Sequence, residues 1–99
     1  MILGRVTGQV VSTHKEQTLE GITFLLVERI NPRTLAGSGD FVVALDAVGA
    51  GNGEIVFYVS GSSARMTEVT NGKPADATIT AIVESIDIDG GTTYTKAKS

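Results

Sequence analysis

Cysteine is missing from this 99-residue chain and histidine occurs once, at His14. Disulfides, thiolate metal sites and any metal or catalytic set that needs two imidazoles are therefore excluded, and the lack of thiols fits a reducing, cytoplasmic setting. Tryptophan is also absent, and aromatic residues make up only 5% of the chain. A surface built to stack bases or sugars normally carries more rings than that. No apolar run approaches the roughly 20 residues of a membrane span. Met1-Ile-Leu-Gly-Arg5 turns polar too soon for a signal peptide, so the start reads as part of the mature fold. The formal charge of −3 repels phosphate backbones on average, which argues against nucleic acid as a partner. Regular helical stretches, heptads and internal repeats are lacking as well.

What the chain does have is a glycine-dense centre spanning residues 46–65. Gly49, Gly51 and Gly53 occupy alternate positions there, a spacing that predicts positive φ angles and close backbone approach. Residues 54–60 follow as a strand with apolar side chains on both faces, Ile55, Phe57 and Val59 on one and Val56 and Tyr58 on the other. Both faces need covering. Gly61 ends this strand, and Ser62 or Ser63 can accept from the free amides of a short helical turn containing Ala64 and Arg65.

The flanking segments read as further strands. Ile2, Gly4, Val6, Gly8 and Val10 alternate with polar Arg5, Thr7 and Gln9, the pattern of a half-buried strand. Gly4 and Gly8 mark sharp bends in it or close approach of another backbone. His14 falls in a polar, solvated turn. Residues 23–29 form a second strand, with Phe24 and Leu26 opposed to Leu25 and Val27. Asn31-Pro32 breaks it, and residues 33–40 read as a flexible polar loop around Gly37 and Gly39. A third strand covers residues 41–45, and residues 66–76 connect through the turn signals Asn71-Gly72 and Pro74. In residues 78–88 the apolar phase moves from Ile79, Ala81 and Val83 to Ile86 and Ile88, which predicts one strand with a bulge near Glu84-Ser85. A turn follows at residues 89–91.

The inventory is all-β: a small five-stranded, closed β-barrel of the oligonucleotide/oligosaccharide-binding kind with one short helical turn. It occupies residues 1–91 as a single domain, and residues 92–99 form a polar C-terminal tail. A sandwich is the other arrangement of the same strands. Phe24, Phe41 and Phe57 lie inside apolar strands and are assigned to the core, which leaves Tyr58 and Tyr94 as the rings free for recognition. A domain of this size buries about two-thirds of its unfolded surface, so strands apolar on both sides point to burial against another chain.

Catalytic apparatus is not visible. Asp40, Asp46, Asp76, Asp87 and Asp89 are dispersed over turns and strand ends, and no serine–histidine–aspartate set or paired-histidine spacing can be written. Asp46 reads more readily as an acceptor for nearby turn amides than as an acid or ligand. The glycine turn precedes a strand instead of a helix and lacks a Lys-Ser/Thr ending, so it is not a phosphate loop. Arg65 reads as the partner of a carboxylate across an interface in preference to an anion site. No catalytic residue, cofactor or metal is assigned. A barrel that binds nucleic acid or saccharide is the competing function.

Several blocks carry a family resemblance. They are Gly4-x-Val6-x-Gly8-x-Val10-Val11-Ser12-Thr13, Asp46-x-Val48-Gly49-Ala50-Gly51-x-Gly53-Glu54 with Val56, Ser60-Gly61-Ser62-Ser63-Ala64-Arg65, and Pro74-x-Asp76-Ala77 leading into Ile82-Val83. In this order they resemble the bacterial microcompartment vertex proteins, the pentameric shell proteins of carboxysomes and of ethanolamine-utilising compartments. Glu84 stands where that family frequently has aspartate, and residues 33–40 and the tail match no pattern. The resemblance implies a homopentamer of barrels, without enzymatic activity, that closes the vertices of an icosahedral shell in the cytoplasm beside hexameric and trimeric shell proteins. Five chains converging on an axis need backbone without side-chain bulk. Gly49, Ala50, Gly51, Asn52, Gly53, Ser62, Ser63 and Arg65 are accordingly expected at the subunit interface or the fivefold axis.

Overall fold

The computed structural model describes residues 1–11, 22–60 and 77–96 of the chain. Its strands are β1 (Ile2–Val10), β2 (Phe24–Ile30), β3 (Gly37–Asp46), β4 (Ile55–Ser60), β5 (Ala77–Ile82), β6 (Ser85–Ile88) and β7 (Gly91–Thr95). The first five close a barrel in the order β1-β2-β3-β5-β4, with β4 returning to β1, while β6 and β7 form a separate hairpin. Neighbours in the barrel are antiparallel except β3 and β5, which run parallel. The expected closed five-stranded barrel is therefore what the chain forms, and closure removes free edges.

Alternation fills the interior. Val6, Leu25, Val27, Ala44, Val56, Tyr58, Ala77 and Ile79 point inward and are buried together. Each fully buried aliphatic side chain contributes roughly 1.5–3 kcal/mol relative to exposure. Gly4 is part of the same packing, because a Cβ there would lie 2.5 Å from Val27 Cγ1 and 2.9 Å from Tyr58 Cε1. At Thr7 the register between β1 and β2 shifts, so the bend expected near Gly8 is a bulge that puts one residue out of pairing.

A second cluster sits on the outside of the barrel. Ile30, Ile55, Val83 and Tyr94 are buried there, with Leu3, Leu35 and Ile86 packed around them. This cluster explains why residues 78–88 are not one bulged strand. After Ile82 the chain leaves the barrel, the Val83 amide donates to the Ile55 carbonyl at 2.8 Å, and β6 starts a new sheet. The change of apolar phase records a change of sheet. Residues 91–95, read as the end of a turn and the start of a polar tail, form β7 instead. Asp89 (φ 53°) and Gly90 (φ 80°) make the two-residue loop of the hairpin, and positive φ at both positions matches the strand twist.

Two further expectations change. The polar loop at residues 33–40 is shorter than expected, because β3 already begins at Gly37. The Asn31 side chain accepts from the Arg33 and Thr34 amides, and the Glu28 carboxylate accepts from the Gly39 amide at 3.0 Å. Glu28 reaches that amide through the space a Cβ at Gly37 would fill. The aromatic assignment is largely reversed. Phe41 and Phe57 are 54% and 37% exposed, whereas Tyr58 and Tyr94 are buried. Pairing of Tyr58 with Ile2 and of Phe57 with Leu3 sets this parity, turning the tyrosine inward and the phenylalanine outward. His14, the helical turn expected at Ala64 and Arg65, and the connection through Asn71, Gly72 and Pro74 lie outside the described residues.

Candidate subunit interface

The glycine turn is built by two carboxylates. Asp46 closes β3, and its Oδ1 accepts from the amides of Val48 at 3.1 Å, Gly49 at 3.0 Å and Ala50 at 3.3 Å. This is the turn-amide role read from the sequence. Glu54 works from the other side, with one oxygen taking the Gly51 amide and the other 3.4 Å from Lys96 Nζ just beyond β7. Gly49 (φ 78°) and Gly53 (φ 85°) occupy left-handed backbone that a Cβ disfavours. Gly51 does not have positive φ, which corrects the expectation for that position. It opens a tight turn instead, its carbonyl accepting from the Glu54 amide at 3.2 Å.

Backbone bonds fasten the turn to the barrel. The Gly53 amide donates to the Val6 carbonyl at 2.8 Å, and the Val6 amide donates to the Glu54 carbonyl at 2.9 Å. A cleft of about 310 Å³ opens between the turn at Ala50, Gly51 and Asn52 and the barrel residues Val6, Gly8, Gln9 and Leu25, with Thr23 at its side. Its side chains carry no charge. Among the described residues no group of three or more His, Cys, Asp or Glu comes together, and no helix is long and apolar enough to cross a membrane. The Tyr58 phenol is pushed above its ordinary value by burial, opposed by Arg29 and reinforced by Asp40.

Of the residues expected at an interface, Gly49, Ala50, Gly51, Asn52 and Gly53 form this one turn, whereas Ser62, Ser63 and Arg65 lie outside the described residues. Sequence reasoning missed Glu54 and Lys96 as the links that hold the turn to the C-terminal hairpin. It also assigned Phe41 to the core and did not single out Val10 or Val43 as an outer surface. Phe41 and Val43 on β3 and Val10 on β1 are exposed around half-buried Leu26 on β2. For Phe41 and Val43 the alternation with the inward residues Val42 and Ala44 was the available signal, whereas Val10 shares the even parity of buried Val6 and is turned outward by the register shift at Thr7.

A family model described as ethanolamine utilisation protein EutN/carboxysome matches residues 1–84. The chain belongs to the EutN/CcmL family. Within this family, the bacterial microcompartment shell vertex protein GrpN of Rhodospirillum rubrum (strain F11) is 42% identical over 87 residues, covering 88% of this chain and 97% of GrpN. A solved GrpN structure, described as a pentameric microcompartment shell protein, matches at a TM-score of 0.78 and covers 89% of this chain and 99% of that one. The carboxysome shell vertex protein CcmL of Gloeobacter violaceus is 38% identical over 98 residues, covering 97% of this chain and 95% of CcmL. Its structure matches at a TM-score of 0.88, with 36% identity and coverage of 98% and 99%. The shell vertex protein EutN of Escherichia coli (strain K12) is 41% identical over 91 residues, covering 92% of this chain and 94% of EutN. The EutN/CcmL fold thus extends through β6 and β7, beyond the matched family segment. The competing reading as a stacking surface loses both tyrosines, which are buried.

Proposed function

We propose that this EutN/CcmL-family chain assembles as a homopentamer that closes the vertices of a bacterial microcompartment shell. The observation that carries this reading is likeness over nearly the whole chain to shell vertex proteins, one of them described as pentameric. The physical logic agrees with it. A cyclic ring joins one surface of each subunit to a different surface of the next, so a small barrel in a ring needs apolar residues outside as well as inside. Phe41, Val43 and Phe57 meet that need. Flat sheets of sixfold tiles cannot close, and a fivefold unit at each vertex supplies the missing curvature. The role is structural and no reaction is assigned. Its neighbours are the hexameric and trimeric shell proteins of the facets, and its place is in the shell, in the cytoplasm. The turn at residues 49–53, with Ser62, Ser63 and Arg65, sits at the subunit contact or the fivefold axis. Native mass spectrometry tests the assembly: the expected species is five times the 10.3 kDa chain, and a stable monomer or dimer at micromolar concentration refutes it.

A further inference from the structure

The outward residues of the barrel fall into covered and uncovered sectors. Leu3, Ile30 and Ile55 lie under the β6–β7 hairpin, packed with Tyr94 and Ile86. Leu45 and Thr78, farther round, have no exposed surface. One sector of β1, β2 and β3 is left open. There Leu26 pairs with Gly8 on one side and Val43 on the other, Val10 pairs with Phe24, and Phe41 pairs with Glu28. A water-facing sheet surface normally presents polar residues at these positions. This one presents Val10, Phe41 and Val43, all more than a third exposed.

Two observations point to the occupant. Gly8 has no positive φ, and nothing among the described residues lies within 4 Å of where its Cβ would be. Neither backbone conformation nor packing among these residues requires glycine there, but an incoming backbone laid against Leu26 would. Arg5, half-buried at the edge of the same sector, pairs across the strands with Glu28, whose carboxylate turns to the Gly39 amide. It forms no ion pair among the described residues, so an acidic partner surface would complement it. This chain is itself net acidic. It also carries a second, different apolar surface, exposed Phe57 with half-buried Val59 on β4, two strands round the barrel from β2.

We infer that the outer face of β1, β2 and β3 around Leu26 receives the next copy of this chain, which docks through its β4 surface around Phe57. This inference rests on the reading of the chain as a ring-forming subunit, and it names the two unlike surfaces that such a ring joins. Gly8 also lines the cleft beside the glycine turn, so the two features meet at this residue.

The experiment uses the full chain and three single variants, Val43→Asp, Phe57→Asp and Gly8→Val, measured by native mass spectrometry and circular dichroism. Wild type is measured first, and failure of wild type to form a pentamer overturns the proposed function itself. With wild type pentameric, each variant is expected to keep the wild-type spectrum and to need at least tenfold more protein for half-assembly. Val43→Asp mixed with Phe57→Asp is expected to give a 1:1 dimer and no ring, since each variant retains the surface the other has lost. Variants that assemble as wild type, or a mixture that stays monomeric, overturn the pairing of these surfaces. Hydroxyl-radical footprinting of wild type covers the case of a variant that does not fold. Phe41 and Phe57 are expected to be labelled in dilute monomer and protected in the ring, and equal labelling in both states refutes the inference.

Discussion

Gly4→Ala tests the barrel at its tightest point. The added Cβ would stand 2.5 Å from Val27 Cγ1, 2.9 Å from Tyr58 Cε1 and 3.0 Å from the Glu28 carbonyl oxygen. Carbon atoms pack best at about 3.5–4.0 Å, so the first contact overlaps by roughly 1 Å. None of the neighbours can move freely, because Val27 is fully buried, Tyr58 is nearly so, and the carbonyl belongs to the β2 backbone. Overpacking of this kind costs about 1–3 kcal/mol, against a gain of about 0.4–1 kcal/mol from the stiffer unfolded chain. The net loss of roughly 1–2 kcal/mol corresponds to a fall in Tm of about 4–15 °C for a domain of this length. Thermal melts followed by circular dichroism at several protein concentrations measure it and separate it from any change in assembly. Val27→Ala removes the worst contact, so the double variant should be more stable than the sum of the two single losses implies. A Gly4→Ala protein that melts with wild type, or strictly additive losses, would refute the packing argument.

Gly53→Val should lower ring yield and cost about 1–3 kcal/mol, because a β-branched residue must take a φ of 85°, whereas Gly51→Ala, facing only the movable Glu54 carboxylate at 3.2 Å, should melt close to wild type. Equal effects of the two in parallel melts and native spectra would show that backbone conformation does not govern the turn. The raised pKa of Tyr58 means that the unfolded chain loses this proton first as pH rises past 10.0; the folded state then binds more protons, and stability should fall above that pH. Urea titrations from pH 9 to 11 should show a shallower fall for Tyr58→Phe, and identical slopes would remove Tyr58 as a contributor. Cells lacking this protein should build shell facets with open vertices, giving leaky or elongated compartments visible by electron microscopy and dye entry. Sealed shells of normal shape would mean that something else closes them.

The local chemistry of the chain was readable from residue order. Alternation in residues 2–10 and the two-sided apolar runs around Leu25 and Val56 require strands, since no other conformation separates neighbouring side chains onto opposite faces. Asp46 ahead of a glycine-rich segment announces a carboxylate-capped turn, because a short acceptor reaches only the amides just beyond it. Family blocks spread from Gly4 to Val83 likewise need no coordinates. Other features depended on partners far away in sequence. Whether Phe57 or Tyr58 faces the core follows from its register with Leu3 and Ile2, and strand composition is the same in either register. The phase change after Val83 looks like a bulge until Ile55 is seen to draw the chain out of the barrel and onto a second cluster. Where a side chain bonds to residues a few positions away, sequence decides the structure; where burial depends on which distant strand arrives alongside, only the closed barrel does.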